Sequence, residues 1–318
     1  MFSIPFFEEL ESSNNILLGG CGGGYDVYST IPFYFALKKK NKNIFLSSIN
    51  FGYLDVETIE LEHLYPNCAI MNGATKYNPL YYFPEAILNK WFNRHHQNDI
   101  PIYTIYDVGT KQIRDIYSQL VKKFNIDAII LVDGGTDSLM KGDEASLGTP
   151  TEDILSLIGA YFAPIKKKYL LSVGFGVDAF HGVPHYDVLS AMSELIKSNS
   201  FKGCFSLMRE MPEVQEYISA VNFANIGFPY ETSIVENSIV ASIEGEFGNY
   251  HRTSQALNSK LFINPLMSQV WCFDLKAVYE RNLYVSKISD LESKEEVHRA
   301  IQEFHNKITK KKRKPIPL

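Results

Sequence analysis

Cysteine is scarce in this 318-residue chain: Cys21, Cys68, Cys204 and Cys272 are the only four, and no two stand at C-x-x-C spacing. A zinc site or a redox pair needs that spacing, and four scattered thiols do not describe a disulfide framework. A reduced, cytoplasmic setting is therefore expected. Long apolar runs are missing too. Nothing approaches the ~20 residues that span a bilayer, and the start of the chain lacks a signal-peptide pattern. Positive charge is not in excess: 31 Lys and Arg against 36 Asp and Glu leave a formal net charge of -5. Bulk electrostatics therefore draw the chain neither to nucleic acid nor to an anionic membrane. There is no low-complexity segment and no solenoid repeat.

What is present is an ordinary globular composition, 45% hydrophobic and 21% charged, with enough apolar mass for a full core. Apolar runs of strand length are expected at 15–18, 43–49, 100–106, 128–132 and 169–173, and helical spacing at 25–40, 84–95, 110–124, 154–162 and 186–197. Pro32 interrupts the first of these helices or kinks it. Strand and helix alternating at this pitch imply βαβ units, hence an α/β fold with a mostly parallel sheet and helices on both faces. We divide the chain into a ligand-binding core at 1–200, a more irregular helical or mixed part at 201–309 and a basic tail at 310–318. Within the core, 50–99 reads as an irregular insertion that shields the site or covers a sheet edge. Helices are expected at 212–225, 269–279 and 294–307, while 233–245 fits strand or helix. The run Lys310-Lys311-Lys312-Arg313-Lys314 resembles a nuclear-import patch, and a solvated tail is the plainer reading.

The chemistry concentrates in residues 128–144, AIILVDGGTDSLMKGDE. A buried-strand run breaks at Asp133-Gly134-Gly135, and Asp133, Asp137, Asp143 and Glu144 follow within a dozen residues. In parallel sheets ligands sit beyond the carboxyl ends of the strands, where these acids would fall. Carboxylates there can hold a cation, accept hydroxyls or move protons; an isolated Asp can equally cap the next helix. The pattern glycine-any-aspartate occurs after three strands: Gly24-Tyr25-Asp26, Gly135-Thr136-Asp137 and Gly176-Val177-Asp178. If the sheet is parallel, all three turns share one edge.

The run Gly19-Gly20-Cys21-Gly22-Gly23-Gly24 reads as a phosphate- or ribose-approaching loop, or as tight helix-strand packing. We expect Gly20, Gly22, Gly23, Gly24 and Asp26 to meet substrate, together with Gly134, Gly135, Thr136, Asp143, Glu144 and Arg252. Asp133, Asp137, Asp178, His181 and His185 are the candidate catalytic groups. Asp133 and Asp137 are the candidate ligands of a cation, which oxygen donors would make Mg2+-like. No acid ends the second strand and no Walker lysine follows the glycines, so a conventional dinucleotide or P-loop site is disfavoured. Cys21 is read as a packing residue. The segment Asp133–Ser138 resembles the SGGxDS pyrophosphate loop of ATP pyrophosphatases, with Asp133 in place of the leading serine.

Taken together, LLGGCGGGYDV near the start, LVDGGTDSLMKGDEASLGTPTED in the middle and NPLMSQVWCFDL near the end resemble a family of archaeal and bacterial proteins catalogued as domain of unknown function 1152. That resemblance implies a Rossmann-like α/β fold and no particular reaction. From the residues, the expected function is an enzyme that hydrolyses or transfers a group on a nucleotide or phosphorylated sugar. The alternative is a non-catalytic nucleotide sensor using the same crevice; a weaker third is a protein-interaction module with a vestigial site.

Overall fold

The computed structural model describes residues 3–52, 62–77, 82–229, 231–256, 259 and 261–316. A nine-stranded mixed sheet runs through it. Its strands in chain order are β1 (Asn15–Gly23), β2 (Asn43–Asn50), β3 (Glu62–Tyr65), β4 (Cys68–Met71), β5 (Ile102–Tyr106), β6 (Ala128–Gly134), β7 (Lys167–Val173), β8 (Phe201–Ser206) and β9 (Gln269–Asp274). Across the sheet the order is β3-β4-β5-β2-β1-β6-β7-β9-β8. The five central strands, β5 through β7, are parallel, and antiparallel pairs extend both edges.

The chain winds outward from β1 to β2 and β5, then returns to place β6 and β7 on β1's other side. Strand order therefore reverses between β1 and β6, which opens a crevice at their carboxyl ends. Both central strands are buried on both faces. Ile16 and Leu18 of β1 and Ile130 and Val132 of β6 enter one core, while Leu17, Ile129 and Leu131 enter the other. Side chains of successive strand residues point to opposite faces, so an unbroken aliphatic run is what a doubly covered strand requires. Each such side chain, fully buried, contributes about 1.5–3 kcal/mol.

Helices α3 (Ile31–Lys39), α4 (Pro84–His96), α8 (Pro212–Gly227) and α9 (Ile234–Ile243) cover the first face. The second face carries α5 (Thr110–Phe124), α6 (Pro150–Phe162), α7 (His185–Lys197), α10 (Leu275–Glu280) and α11 (Lys294–Lys307). A short helix α1 (Pro5–Leu10) precedes β1. The helix expected at 25–40 divides into α2 (Asp26–Ser29) and α3, and Pro32 falls in the first turn of α3, where its missing N–H costs nothing.

One expectation about the elements needs correction, and others become more definite. Residues 269–274 are strand β9, not the start of a helix; only 275–280 are helical, capped by Asp274, whose carboxylate accepts from the Ala277 amide. Valine, tryptophan and phenylalanine within six residues were the β signal that the longer apolar spacing hid. The insertion at 50–99 is not wholly irregular, since β3 and β4 extend the sheet beyond β5. Of that stretch, 53–61 and 78–81 lie outside the described residues. Residues 201–309 supply β8 and β9 to the same sheet, and 233–245 resolves as helix α9 with Ser233 accepting from the Glu236 amide. Among the described residues no helix is long and apolar enough to cross a membrane.

Candidate functional site

The glycine run is not a loop. Strand β1 continues through Gly23, with a bulge between Gly19 and Gly23 where the pairing to β2 shifts. Two of its amides already have partners: Gly22 N donates to Ser156 Oγ at 3.1 Å and Gly24 N to Ile49 O at 3.3 Å. The helix that follows, α2, is a single turn of four residues, too short to concentrate positive potential. Of the glycines expected to approach phosphate, Gly22 and Gly24 spend their amides within the fold, whereas Gly23 lines the cavity at this crevice.

The glycines instead make room for a carboxylate. A methyl group on Gly22, which holds φ +120, would overlap Asp26 Oδ2. One on Gly134 would come 2.8 Å from Asp26 Oδ1, 2.9 Å from Ser29 Oγ and 3.0 Å from Glu236 Oε1. Asp26 thus sits between the ends of β1 and β6, in the crevice that the strand order creates. On the other side of β6, a methyl at Gly135 would lie 3.1 Å from Asp133 Oδ1 and 3.0 Å from Asp178 Oδ1.

All three glycine-any-aspartate turns converge. Asp26, Asp137 and Asp178 line one cavity of about 380 Å3, joined by Asp133 and Gly134 from the end of β6. Among the described residues seven carboxylates line it, the others being Glu152 and Asp153 in the first turn of α6 and Glu231. No lysine or arginine among the described residues lines it. The remaining wall includes Tyr25, Tyr82, Thr149, His181, Thr232 and Ser233.

Several acids are anchored through one oxygen. Asp137 Oδ2 accepts from the Thr149 amide at 2.7 Å and its hydroxyl at 2.9 Å, tying the start of α6 to the turn after β6. Asp178 Oδ2 accepts from the Thr136 amide at 2.6 Å and hydroxyl at 3.0 Å. Ser138 Oγ donates to Asp133 Oδ2. Thr136 is therefore a support for Asp178 and not part of the cavity wall. Among the described residues, two fully buried wall atoms have no hydrogen-bond partner: Asp153 Oδ2 and Tyr25 OH, in residues only 4% and 8% exposed. Unpaired polar atoms this deeply buried cost about 1–3 kcal/mol each, so such atoms invite a ligand.

Burial raises the pKa of Asp26, Asp133, Asp153 and Asp178 well above the usual aspartate range, and neighbouring carboxylates add to each shift. Hydrogen bonds from Ser138 and Thr136 oppose it at Asp133 and Asp178. Glu152 is pushed up to about 7 by burial and by Asp137, with Lys294 opposing. Glu236, fully buried behind Gly134, is pushed up to about 7 by burial, although Tyr217 and Ser29 donate to it. The cluster lacks a cation within its own wall, so near neutral pH it must hold protons or take a cation from outside. Among the described residues, no three acid, imidazole or thiol groups already stand as a ready-made metal site.

Other expected site residues lie elsewhere. Glu144 Oε2 accepts from the Lys141 and Gly142 amides at 3.0 and 2.9 Å, and Asp143 pairs with Lys311, so neither acid reaches the cavity. Arg252 is held by Glu244 and Asn222. His185 starts α7 and packs edge-on against Phe175, its pKa lowered by burial, whereas His181 does line the cavity. Cys21 is buried, with its thiol pKa pushed up chiefly by that burial, consistent with a packing role. Sequence reasoning missed Asp153 and Glu152 as site residues, because acids in a helix's first turn are favourable there anyway. Tyr25 and Tyr82 were missed as well, since nothing in their surroundings distinguishes a wall tyrosine from a core one.

Comparison with known proteins matches this chain to one family model, described as "Protein of unknown function (DUF1152)", over residues 68–308. The match includes the central acidic motif and the C-terminal one, while the glycine run lies before it. A search of curated proteins and a search of solved structures each returned no match. The matched residues span well over half of the chain, which is a member of the DUF1152 family.

Proposed function

We propose that this protein is an enzyme that hydrolyses or transfers a group on a nucleotide or phosphorylated sugar taken up with a divalent cation. The observation that carries this reading is the acid-rich wall: seven carboxylates, with no lysine or arginine among the described lining residues, around one cavity at the reversal of strand order. Such a wall repels bare phosphate but accepts hard cations, and oxygen donors suit magnesium. The carboxylates that would meet it come in pairs, Asp26 with Asp153 about the Gly22 backbone and Asp133 with Asp178 about Gly135, so a cation would draw one such pair together with phosphate oxygens. A bound cation would neutralise phosphate charge and polarise a phosphoryl oxygen. His181, the one imidazole on the wall among the described residues, is the candidate for proton transfer.

A second cavity, about 580 Å3, adjoins the first through Glu152 and is lined by Phe51, Lys294, His298 and Arg299 together with Glu295. Lys294 Nζ stands 5.8 Å from the Phe51 ring centroid. These groups fit the part of a nucleotide that the acidic cavity does not take: an aromatic face for a base and cations for a remote oxyanion. Three of the four free cysteines are buried, which suits a cytoplasmic setting.

The test is turnover. With Mg2+ present, a panel of nucleotides and sugar phosphates should yield product from at least one member, resolved by chromatography. Asp137→Asn should lower that rate about a hundredfold or more while folding normally, because asparagine's oxygen still accepts from Thr149. The alternative, a nucleotide sensor, draws on the same anchoring: Asp137 and Asp178 connect the cavity directly to α6 and to the 177–181 turn. Binding without product under every metal would favour it.

A further inference from the structure

The basic C-terminal run is seated on the protein. After α11 the backbone amide of Lys311 donates to Asp143 O at 2.7 Å. Its Nζ lies 2.8 Å from Asp143 Oδ1 and 3.5 Å from Glu144 Oε1. Glu144 is 1% exposed, and Lys311 is the one cation paired with it among the described residues. The same Glu144 is fixed from α11, since His305 Nε2 lies 2.8 Å from its carbonyl oxygen. Two residues on, Arg313 Nη2 reaches the turn at Gly182, where a methyl group would be 3.1 Å from it and 3.4 Å from Ser146 Oγ. Lys314 Nζ then stands 5.3 Å from the Tyr186 ring centroid. Asp187, 3% exposed and with Oδ2 unpartnered, feels the charge of both Lys311 and Arg313.

The basic run therefore bridges two segments. One is the 141–146 loop; the other is the stretch from Gly182 to Asp187. A hydrogen bond from Ser146 Oγ to His181 O, 2.9 Å, joins them beneath it. The second segment continues directly from the turn Val177–His181, which delivers Asp178 and His181 to the acidic cavity. We propose that residues 311–314 are an intramolecular strap. They occupy an acidic docking surface made by Asp143, Glu144, Asp187 and Tyr186, and their seating keeps the 177–183 turn closed over the cavity rim. The surface selects a short basic peptide, three cations against three acids and an aromatic ring, and the chain supplies its own. While docked, Lys311 is committed to Asp143 and Glu144, so an external acidic partner that takes the whole run must first displace it. The inference does not depend on what the cavity binds.

Hydrogen exchange read by mass spectrometry on the full chain tests it. In Lys311→Glu/Arg313→Glu, peptides covering 177–184 should exchange roughly three- to tenfold faster than in wild type, with α5 unchanged as the control. High salt should produce the same acceleration in wild type. If the charge reversal loosens the whole chain, Lys311→Met/Arg313→Met is read at the same peptides with the same expectation. Equal exchange at 177–184 in wild type and in whichever variant keeps α5 protected would overturn the strap.

Discussion

Magnesium should stabilise this protein strongly at pH 8 and barely at pH 5. The acids around the cavity have raised pKa values because burial and mutual repulsion disfavour their charged forms. A group of this kind stabilises the fold fully below its unfolded pKa and loses that contribution as pH rises through the folded value. For Glu236 the window runs from the usual 4.5 to about 7. Over it the unfolded chain has released a proton that the folded chain retains, and roughly 3 kcal/mol of stability drains away. Glu152 titrates over the same window. The cation-free protein is therefore expected to be less stable at pH 8 than at pH 5. A divalent cation reverses this only where the acids are ionised, because at low pH protons occupy the same oxygens. At a hundredfold excess over its dissociation constant, the cation adds about 2.7 kcal/mol, or roughly 4–8 °C in the melting midpoint. Thermal melts at both pH values, with and without Mg2+, measure it. An equal Mg2+ effect at the two pH values would mean that the cation binds somewhere other than this cluster.

Asp153→Asn should raise the stability of the cation-free protein at pH 8 while abolishing most of that magnesium response. Asp153 is 4% exposed, feels Asp137, Asp133 and Asp26, and carries an oxygen without a partner. An amide of the same shape cannot ionise, so it removes a group whose charged form burial and the neighbouring acids oppose. A residue kept only for folding would show the opposite sign, since buried structural acids are destabilising to lose. Stability gained where binding is lost is the signature of a position held for a ligand. If the variant melts lower and still responds fully to Mg2+, Asp153 serves the scaffold and the cavity's cation lies elsewhere.

The parts of this arrangement that a reader of the sequence can find are those written next to strands. Asp26, Asp137 and Asp178 each follow a buried apolar run by a fixed short turn, so a parallel sheet alone brings them to one rim. Asp143 and Glu144 stand just as close to the motif in sequence, yet the 3-10 turn at Asp137–Leu139 carries the chain away, and they end under Lys311. Glycine misled in a different way. At Gly22 and Gly134 the missing side chain answers to the Asp26 carboxylate, and a phosphate would need the same bare backbone. Asp153 and Glu152 were concealed by a second, sufficient reason for acids at the start of α6. Tyr82 lies in the aperiodic stretch and Glu231 in the C-terminal part, positions that only tertiary folding brings to the cavity. Strand β9 was hidden because its apolar residues run straight on into those of the helix at Leu275–Glu280, so the two together read as one helical stretch.

The most direct test of the acidic cavity is anomalous diffraction from crystals grown or soaked with Mn2+, a magnesium surrogate with a strong anomalous signal, in the presence of a bound nucleotide. Manganese should appear inside the cavity, within coordination distance of oxygens from at least two of Asp26, Asp133, Asp153 and Asp178, with the nucleotide's phosphates turned toward it. A nucleotide bound away from this wall, with no manganese among the four aspartates, would contradict the account.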